Sequence, residues 1–483
     1  LVTSIYGLGP SITKWMLRFG PLIVVALAAA LRLYGINWDN GHLFHPDERA
    51  ILIHVNDMAW PRFSDLTVLF DPENSPMNPQ WFPYGSLPLY LVKAIQLIGS
   101  PFTHMDFHDL RIVGRGLSAL SDLGTVVMVF LLGAKLYGRN VGLLASLLCA
   151  VSVLHIQLSH FYTVDTYLAF FLISSMYFMA CVMERGKLKD SILAGSFIGL
   201  ALACKISIAP IFVVFVACHS MYWFRPSQTT QATSKLIIRN FTLGIVASAL
   251  VFFITTPYGI LDWTRPDPCE IPFYFLKFLE NNYFACDVGA QINMARGTSG
   301  LPFTQQYIDT IAYLYQIRQL ALFGLGLPLG VLVWISVLFT IASAVYRRNK
   351  ADLLLLAWII PYFVLTGYLQ VKFLRYMLPL TPFLIILAAR MLFWIKDKSS
   401  HHLPRYINIV KSLMVLLVLS TIFYGFSYMN VYMEPHTAAR ASEWINEHVE
   451  NQSIILIEHW DCLLYTSDAA DERSSVDLGG RRL

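Results

Sequence analysis

The chain has 483 residues, of which 56% are hydrophobic and 14% are charged, and its mean hydropathy is +0.55. Soluble domains are about 45–50% apolar and about 25% charged, so this composition excludes an ordinary soluble protein and is typical of a membrane protein. The net charge of +4 comes without a basic tract, which argues against nucleic acid as a partner.

Eleven apolar segments recur along the chain, and most are long enough to cross a bilayer, which takes roughly 17–25 helical residues. In chain order they are Leu17–Ile36, Ile112–Ala134, Val141–Leu158, Val164–Met183, Ser191–Ala203, Ile206–Phe224, Phe241–Pro257, Gln319–Tyr346, Ala351–Leu369, Tyr376–Ile395 and Asn408–Met429. The fifth and sixth form one apolar run interrupted by Lys205, and because that run is too long for a single crossing we expect a tight hairpin there. The sequence therefore predicts an all-α polytopic membrane protein.

Basic residues are concentrated in one set of the connecting segments. That set holds Lys14, Arg18, Lys135, Arg139, Arg185, Lys187, Lys189, Arg225, Lys235, Arg239, Arg347, Arg348, Lys350, Lys396, Lys398, Arg405 and Lys411. The short loops on the opposite side hold only Lys205, Lys372 and Arg375. By the positive-inside rule this places the N-terminus in the cytoplasm and two long loops, about residues 37–111 and 258–318, on the outer face.

The two ends of the chain differ from the apolar middle. The first residue is Leu1 rather than Met, so the native start is expected upstream. Residues 1–430 are predicted to form the membrane domain, and residues 431–461 have the pattern of a helix followed by a strand, the start of a soluble outer domain. Residues 462–483, CLLYTSDAADERSSVDLGGRRL, look like a translated sequencing adapter, so we expect the native protein to continue beyond Asp461.

Titratable residues gather near the outer ends of the predicted segments. They are His45, Asp47, Glu48, His160, Asp165, Lys205, Lys372 and Arg375. Charges close to a membrane are costly and usually face protein or a water-filled cavity. Their placement on one side, from four loops, predicts a single site at the outer membrane boundary.

The stretch HLFHPDERAILIH places two adjacent carboxylates, Asp47 and Glu48, at the start of a predicted helix. Pro46 suits the first helical position, and the helix dipole favours ionised carboxylates there. Such carboxylates suit a general base or a metal ligand. The alternative is that they only cap the helix.

The other charged candidates each have a structural alternative. His160 and Asp165 could hold a metal or orient a cation, or they could make structural hydrogen bonds and ion pairs. Lys205 could contact a phosphate or extend toward the interface. Arg375 has the planar fork that suits phosphate, and it could equally anchor the chain at the interface. Together, a carboxylate that takes a proton and cations that hold a phosphate match sugar transfer from a lipid-linked phosphate.

Two cysteines, Cys269 and Cys286, fall in the second long loop, whereas four others lie in apolar segments. Disulfides persist outside the cytoplasm, so we predict a bridge between Cys269 and Cys286. The alternative is a pair of free or buried thiols.

Five motifs carry a family resemblance. They are FHPDE at Asp47, RGLSALSDLGTVVMVFLLGAKLYG opening at Arg115, YTVDTYLAFF at Asp165, GLALACKISIAP at Lys205 and RYMLPLTPFLIILAA at Arg375. From about Leu17 to Asp461 the chain resembles the GT-C superfamily of membrane glycosyltransferases, near the protein O-mannosyltransferases and the lipid A aminoarabinose transferases.

The resemblance implies a role for each matching residue. Asp47 falls on the catalytic base, with Glu48 beside it in the catalytic pair. The donor-phosphate contacts fall on Lys205, Arg375 and Arg115. The candidates for holding a divalent metal or orienting the site are His45, His160 and Asp165. A divalent metal is the only cofactor that the sequence suggests.

The expected function follows from these assignments. A hexosyl- or pentosyltransferase of this kind would move a sugar, with inversion, from a polyprenyl-phosphate donor to a hydroxyl of a protein, lipid or glycan. The expected location is a prokaryotic plasma membrane, with lipid around the bundle and the active site on the outer face. The alternative is a transporter or a flippase for lipid-linked sugars.

Overall fold

The structure, a computed structural model, describes residues 10–224, 231–272, 274–450 and residue 453. These residues are mainly helical, and no β-strand occurs among them. The predicted adapter-derived tail at residues 462–483 lies outside the described residues. The strand predicted after the last helix also lies outside them, apart from Ser453.

The α-helices connect through short loops and 3₁₀ turns. In chain order they are α1 (Pro10–Leu33), α2 (Pro46–Asp57), α3 (Leu87–Gly99), α4 (Phe107–Tyr137), α5 (Arg139–Ala150), α6 (Val153–Ser159), α7 (Asp165–Arg185), α8 (Leu188–Leu202), α9 (Ile211–Trp223), α10 (Gln231–Thr255), α11 (Tyr258–Leu261), α12 (Tyr283–Ala295), α13 (Leu314–Gln319), α14 (Leu327–Arg347), α15 (Lys350–Tyr368), α16 (Thr381–His402), α17 (Ile407–Tyr428) and α18 (Thr437–His448).

In the described part of the chain, seven helical runs are long and apolar enough to cross a membrane. They are Phe107–Tyr137, Asp165–Arg185, Ile206–Trp223, Ser234–Thr255, Leu327–Arg347, Lys350–Tyr368 and Pro404–His448. The bent pair of α5 and α6 would raise the number to eight. The all-α membrane fold is thus confirmed. The count of eleven is not, because the predicted first, fifth and tenth segments fall on α1, α8 and α16, which are outside that set.

The third predicted segment, Val141–Leu158, is not one straight helix. It is broken between α5 and α6 by a bend of 57°. Arg32 of α1 is fully buried and donates to the carbonyl of Ala150 at 2.9 Å, at the end of α5. Asp122 of α4 holds both Arg32 and His155 of α6 at 2.6 Å. Arg32, held in place by Asp122, thus satisfies carbonyls that a helix end inside the bundle would otherwise leave unpaired.

The eighth predicted segment, Gln319–Tyr346, starts too early. A π-helical turn, Leu320–Gly324, precedes a break, and the helix α14 begins only at Leu327. Gly326 has φ of 79°, and a β-carbon built on it would lie 2.7 Å from the ring of Tyr424. Glycine is therefore needed at this break both for its backbone conformation and for the close approach of α17.

The fifth and sixth predicted segments form two separate helices, α8 and α9, with Lys205 in the connection, as the sequence predicted. A β-carbon built on Gly195 of α8 would lie 1.9 Å from the carbonyl oxygen of Gly244 on α10. In a membrane, small residues of this kind let two backbones approach closely enough to pack. The α8–α10 crossing thus depends on glycine at the contact.

Helices α7 and α16 form the centre of the bundle, and most of their side chains are buried. The two long loops lie against each other beside it. Asn78 of the first loop donates to Asp262 of the second at 2.6 Å. The backbone N–H of Phe82 donates to Asp287 at 2.6 Å. The loops therefore form one layer, and the candidate site lies between this layer and the bundle.

Candidate active site

The site begins at the first turn of α2. His45 is the N-cap, its Nδ1 accepts the backbone N–H of Glu48 at 3.4 Å, and Pro46 occupies the first turn. The predicted helix start is thus confirmed. Successive residues of a helix point about 100° apart, so Asp47 and Glu48 face different surroundings. The Glu48 side chain is fully buried, whereas that of Asp47 is 23% exposed.

Glu48 is held by Arg115 of α4. The two carboxylate oxygens of Glu48 accept from Nε and Nη2 of Arg115 at 2.7 Å each. The same guanidinium donates to both oxygens of Asp39, at 3.0 and 2.7 Å, and to the carbonyl of Ile36 at 2.9 Å. All three charged side chains have no exposure to solvent. Charges buried in this way must be paired, and this cluster pairs them fully.

Two further residues extend the sealed cluster. Arg111 also pairs with Asp39, and the backbone N–H of Tyr162 donates to Glu48 at 3.0 Å. Burial alone would raise the pKa of the Asp39 carboxyl, but Arg115 and Arg111 hold the pKa below its usual value. Asp39 is therefore held as an anion, and the hydrogen bonds of Asp39 and Glu48 to Arg115 bind the first loop to α4.

Asp47 pairs instead with Arg375, a residue 328 positions later in the chain. Arg375 lies on the 3₁₀ turn Leu374–Met377 and packs over the ring of Phe373 at 4.8 Å. The Arg375 side chain is 17% exposed. Among the described residues its Nε has no hydrogen-bond partner. This pair is thus accessible, and its arginine retains donor capacity.

A second accessible cation lies beside this turn. Lys205 Nζ is 3.6 Å from a carboxylate oxygen of Asp165. It also lies 4.6 Å from the ring centroid of Tyr376 and 5.7 Å from that of Tyr84. Because Tyr376 directly follows Arg375, Lys205 and Arg375 meet at the same turn. The structure therefore brings Asp47, Asp165, Lys205 and Arg375 together.

His45 is a neutral imidazole at this site. Burial, followed by the positive charges of Arg375, Arg115 and Arg49, lowers its pKa to about 3. Its Nδ1 accepts the N–H of Glu48, so in the neutral ring the proton is on Nε2. His45 thus acts as a helix cap that burial, together with the surrounding arginines, keeps uncharged.

His160 lies apart from this group. Its Nδ1 and Nε2 lie 2.7 and 2.9 Å from the carbonyl oxygens of Ile156 and Tyr34. Its ring stacks on Tyr432 at 3.8 Å. Both ring nitrogens thus lie against backbone carbonyls, and the ring itself packs against the start of the C-terminal segment.

A divalent metal does not fit these residues. The described ranges contain no group of three His, Cys, Asp or Glu side chains placed to hold a metal ion. Of the three candidates, His45 caps a helix, His160 packs in a loop and Asp165 pairs with Lys205.

The second long loop carries a disulfide between Cys269 and Cys286, with a Cα–Cα separation of 5.7 Å. Asp287 follows directly and accepts from the first loop at Phe82. The bridge therefore fixes the part of the second loop that contacts the segment before Tyr84.

Sequence reasoning missed Asp39, Arg111, Tyr84 and Tyr376. One signal was present, because Arg111 and Arg115 are spaced i and i+4 and so share a face of α4. Two arginines on one face of an apolar helix require buried acids as partners. No comparable signal identified the tyrosines.

Three comparisons place this geometry among known proteins. A family model described as dolichyl-phosphate-mannose-protein mannosyltransferase matches residues 102–257. No curated protein matches the sequence. The apo oligosaccharyltransferase of Archaeoglobus fulgidus superposes with a TM-score of 0.58 at 16% identity, over 94% of this chain and 60% of that one.

Two further solved structures agree. The archaeal oligosaccharyltransferase AglB of Archaeoglobus fulgidus, in complex with an inhibitory peptide and a dolichol-phosphate, gives a TM-score of 0.54 at 15% identity, over 94% and 60% of the two chains. Apo ArnT of Cupriavidus metallidurans gives 0.52 at 15% identity, over 92% and 82%. The chain thus spans about 60% of the length of the oligosaccharyltransferase it matches. The expected resemblance is confirmed, and the chain shares the fold of these membrane proteins over most of its length.

Proposed function

We propose that this protein is an integral-membrane glycosyltransferase that moves a sugar from a polyprenyl-phosphate donor to an acceptor hydroxyl. The observation that carries the proposal is the accessible Asp47–Arg375 pair beside Lys205, a base and two cations at one turn. The family description names dolichyl-phosphate-mannose as a donor, and one structural relative is bound to a dolichol-phosphate. Both support a lipid-phosphate sugar as the substrate class.

The reaction is a single displacement. The acceptor oxygen attacks the anomeric carbon while the bond from that carbon to the phosphate oxygen breaks. The bonding electrons leave with the lipid phosphate, and the acceptor proton passes to Asp47, the general base. Attack opposite the leaving phosphate inverts the anomeric carbon.

Arg375 and Lys205 would stabilise the leaving phosphate. A guanidinium has five N–H donors, so Arg375 can donate hydrogen bonds to a phosphate while it still orients Asp47. An incoming phosphate would also compete for Arg375 and leave Asp47 more available as a base. Lys205, whose ammonium lies over the ring of Tyr376, would add a second positive charge.

This proposal gives a different role to five of the residues that the sequence singled out, namely Glu48, Arg115, His45, His160 and Asp165. Glu48 and Arg115 act as positioning residues, because their charged groups are sealed together with Asp39. Such an arginine cannot reach a donor phosphate without leaving buried Glu48 without its cation and Asp39 with Arg111 alone. Asp165 orients Lys205, and the two histidines support the loop.

We propose the following setting for the reaction. Residues 1–430 form the catalytic membrane domain, and residues 431–461 begin an outer soluble domain. The protein lies in a prokaryotic plasma membrane with the N-terminus in the cytoplasm and the site on the outer face. The sugar is a hexose or pentose, and the acceptor is a protein, lipid or glycan. Nucleic acid has no part in it.

A labelled donor tests the proposal. Purified protein is incubated with undecaprenyl phosphate carrying radiolabelled mannose, glucose, galactose or arabinose, together with a mixed acceptor extract from membranes. A transferase releases the label from at least one donor in a protein-dependent reaction. A flippase would move the lipid across a vesicle membrane and leave the sugar–phosphate bond intact, which would overturn the proposal.

The orientation has its own test. Maleimide labelling of native membranes should leave Cys269 and Cys286 unmodified until a reductant is added, because a loop on the outer face keeps its disulfide. Labelling of both thiols before reduction would contradict the outer placement of the second loop.

A further inference from the structure

Gln316 of α13 is fully buried. Within the described part of the chain, neither its Nε2 nor its Oε1 has a hydrogen-bond partner. Native structures rarely leave a buried amide unsatisfied on both atoms, because each unmet group loses its hydration without compensation. A residue of this kind points to a partner that the protein itself does not supply.

The helical face that carries Gln316 borders the turn that carries Arg375. Gln316, Leu320 and Gly324 recur at intervals of four residues. A β-carbon built on Gly324 would lie 3.7 Å from the side chain of Leu374, the neighbour of Arg375. The helix α13 also packs directly against the turn Leu374–Met377.

A series of aromatic contacts also connects α13 to Arg375. The ring of Tyr315, next to Gln316, meets Tyr307 at 5.8 Å. Tyr307 meets Phe373 at 5.5 Å, and Phe373 lies under the guanidinium of Arg375 at 4.8 Å. Nε of Arg375 is itself buried without a partner among the described residues. Two unsatisfied polar groups therefore lie on elements that pack together.

The chemistry of the amide distinguishes between the parts of a lipid-phosphate sugar. A phosphate diester anion only accepts hydrogen bonds, so it could satisfy Nε2 but not Oε1. A sugar hydroxyl both donates and accepts, and neighbouring hydroxyls match the paired donor and acceptor of an amide. A site built to bond a hydroxyl rejects analogues that lack it, because its buried polar groups are then left unpaired.

We propose that Gln316 binds a hydroxyl of the donor sugar and so sets which sugar the enzyme accepts. The inference rests on the proposed function, because it assumes a lipid-phosphate sugar at Arg375. In this proposal the turn Leu374–Met377 binds the phosphate of the donor, and α13 selects the sugar.

Gln316→Met tests the inference, since methionine keeps the length and volume of glutamine and removes both hydrogen-bonding atoms. Binding is measured for bare undecaprenyl phosphate and for the same lipid carrying mannose, glucose, galactose or arabinose. In the wild type we expect one sugar-loaded lipid to bind more tightly than the bare lipid. In Gln316→Met that preference should fall by about tenfold or more, with bare-lipid binding unchanged. Gln319→Met, at a partly exposed glutamine on the same helix, is the matched control and should keep the preference.

Stability separates this role from a structural one. The amide makes no protein hydrogen bond in the free enzyme, so Gln316→Met should melt at the same temperature as the wild type or higher. A lower melting temperature together with an unchanged sugar preference would overturn the inference and assign Gln316 to packing. An equal loss of bare-lipid and sugar-lipid binding would also overturn it. Failure of the wild type to bind any of these lipids would instead overturn the proposed function, and the inference with it.

Discussion

Two charge clusters start at neighbouring residues of α2 and differ in their access to solvent. The Glu48–Arg115–Asp39 cluster is sealed, with no exposure at any charged side chain. The Asp47–Arg375 pair is open, with exposed fractions of 23% and 17%. Both use an arginine and a carboxylate, so residue type alone does not separate them.

The difference indicates separate tasks. In the sealed cluster every donor of Arg115 faces a fixed acceptor, so the cluster can only hold the loop to α4. In the open pair the arginine keeps an unsatisfied Nε, and its partner carboxylate can reach a solvent-borne hydroxyl. Asp47 and Glu48 are adjacent, yet the helix turns one toward the protein interior and the other toward the site.

The largest effect should come from breaking the sealed cluster. Arg115→Met leaves Glu48 and Asp39 buried without their shared cation, which should cost roughly 3–5 kcal/mol of stability. Thermal unfolding in detergent measures it. Arg375→Met is the matched control and should cost less, because the Asp47 carboxylate is partly exposed and can be hydrated once its partner is removed. Equal losses of stability in the two variants would contradict the distinction between the sealed cluster and the open pair.

A smaller effect should come from Arg375→Lys. The variant keeps the charge but loses the planar fork that suits phosphate, so binding of undecaprenyl phosphate should weaken about tenfold. Isothermal titration or a fluorescent lipid analogue can measure this. Arg265→Lys is the control. It alters the ion pair with Asp287 in the second loop and should leave the affinity for undecaprenyl phosphate unchanged. Undiminished affinity in Arg375→Lys would assign Arg375 to anchoring.

A further effect concerns pH and His45, which caps α2 between the two clusters. The folded pKa of His45 is about 3, below the unfolded value of about 6.5. The unfolded state therefore binds the proton first as pH falls, so this contribution is full above about pH 6.5 and declines by up to about 1.4 kcal/mol per pH unit below it. His45→Asn keeps a favourable N-cap without a titrating group, so its melting temperature should vary less between pH 7 and pH 5. Parallel curves for the two proteins would contradict the assignment.

Local rules explain what the sequence predicted well. The start of α2 follows from Pro46 and the acidic first turn, and the α8–α9 break follows from Lys205 inside an overlong apolar run. Each of these depends on residues close together in the chain.

Contacts between residues far apart in the chain explain what the sequence could not predict. Glu48 meets Arg115 at a separation of 67 residues, and Asp47 meets Arg375 at 328. Which of two adjacent acids is sealed depends on those contacts and not on the motif. The bend between α5 and α6 depends likewise on Arg32, which is 118 residues from its acceptor Ala150.

The most direct test of the account compares Asp47→Asn with Glu48→Gln in sugar transfer from a labelled polyprenyl-phosphate donor. Each variant is measured for turnover, donor binding and melting temperature. Asp47→Asn should reduce turnover by at least ~10²-fold, the scale of a lost general base, while it keeps donor binding and stability. Glu48→Gln should lower the melting temperature, and its turnover per folded molecule should fall less. Near-normal turnover in Asp47→Asn would contradict the account.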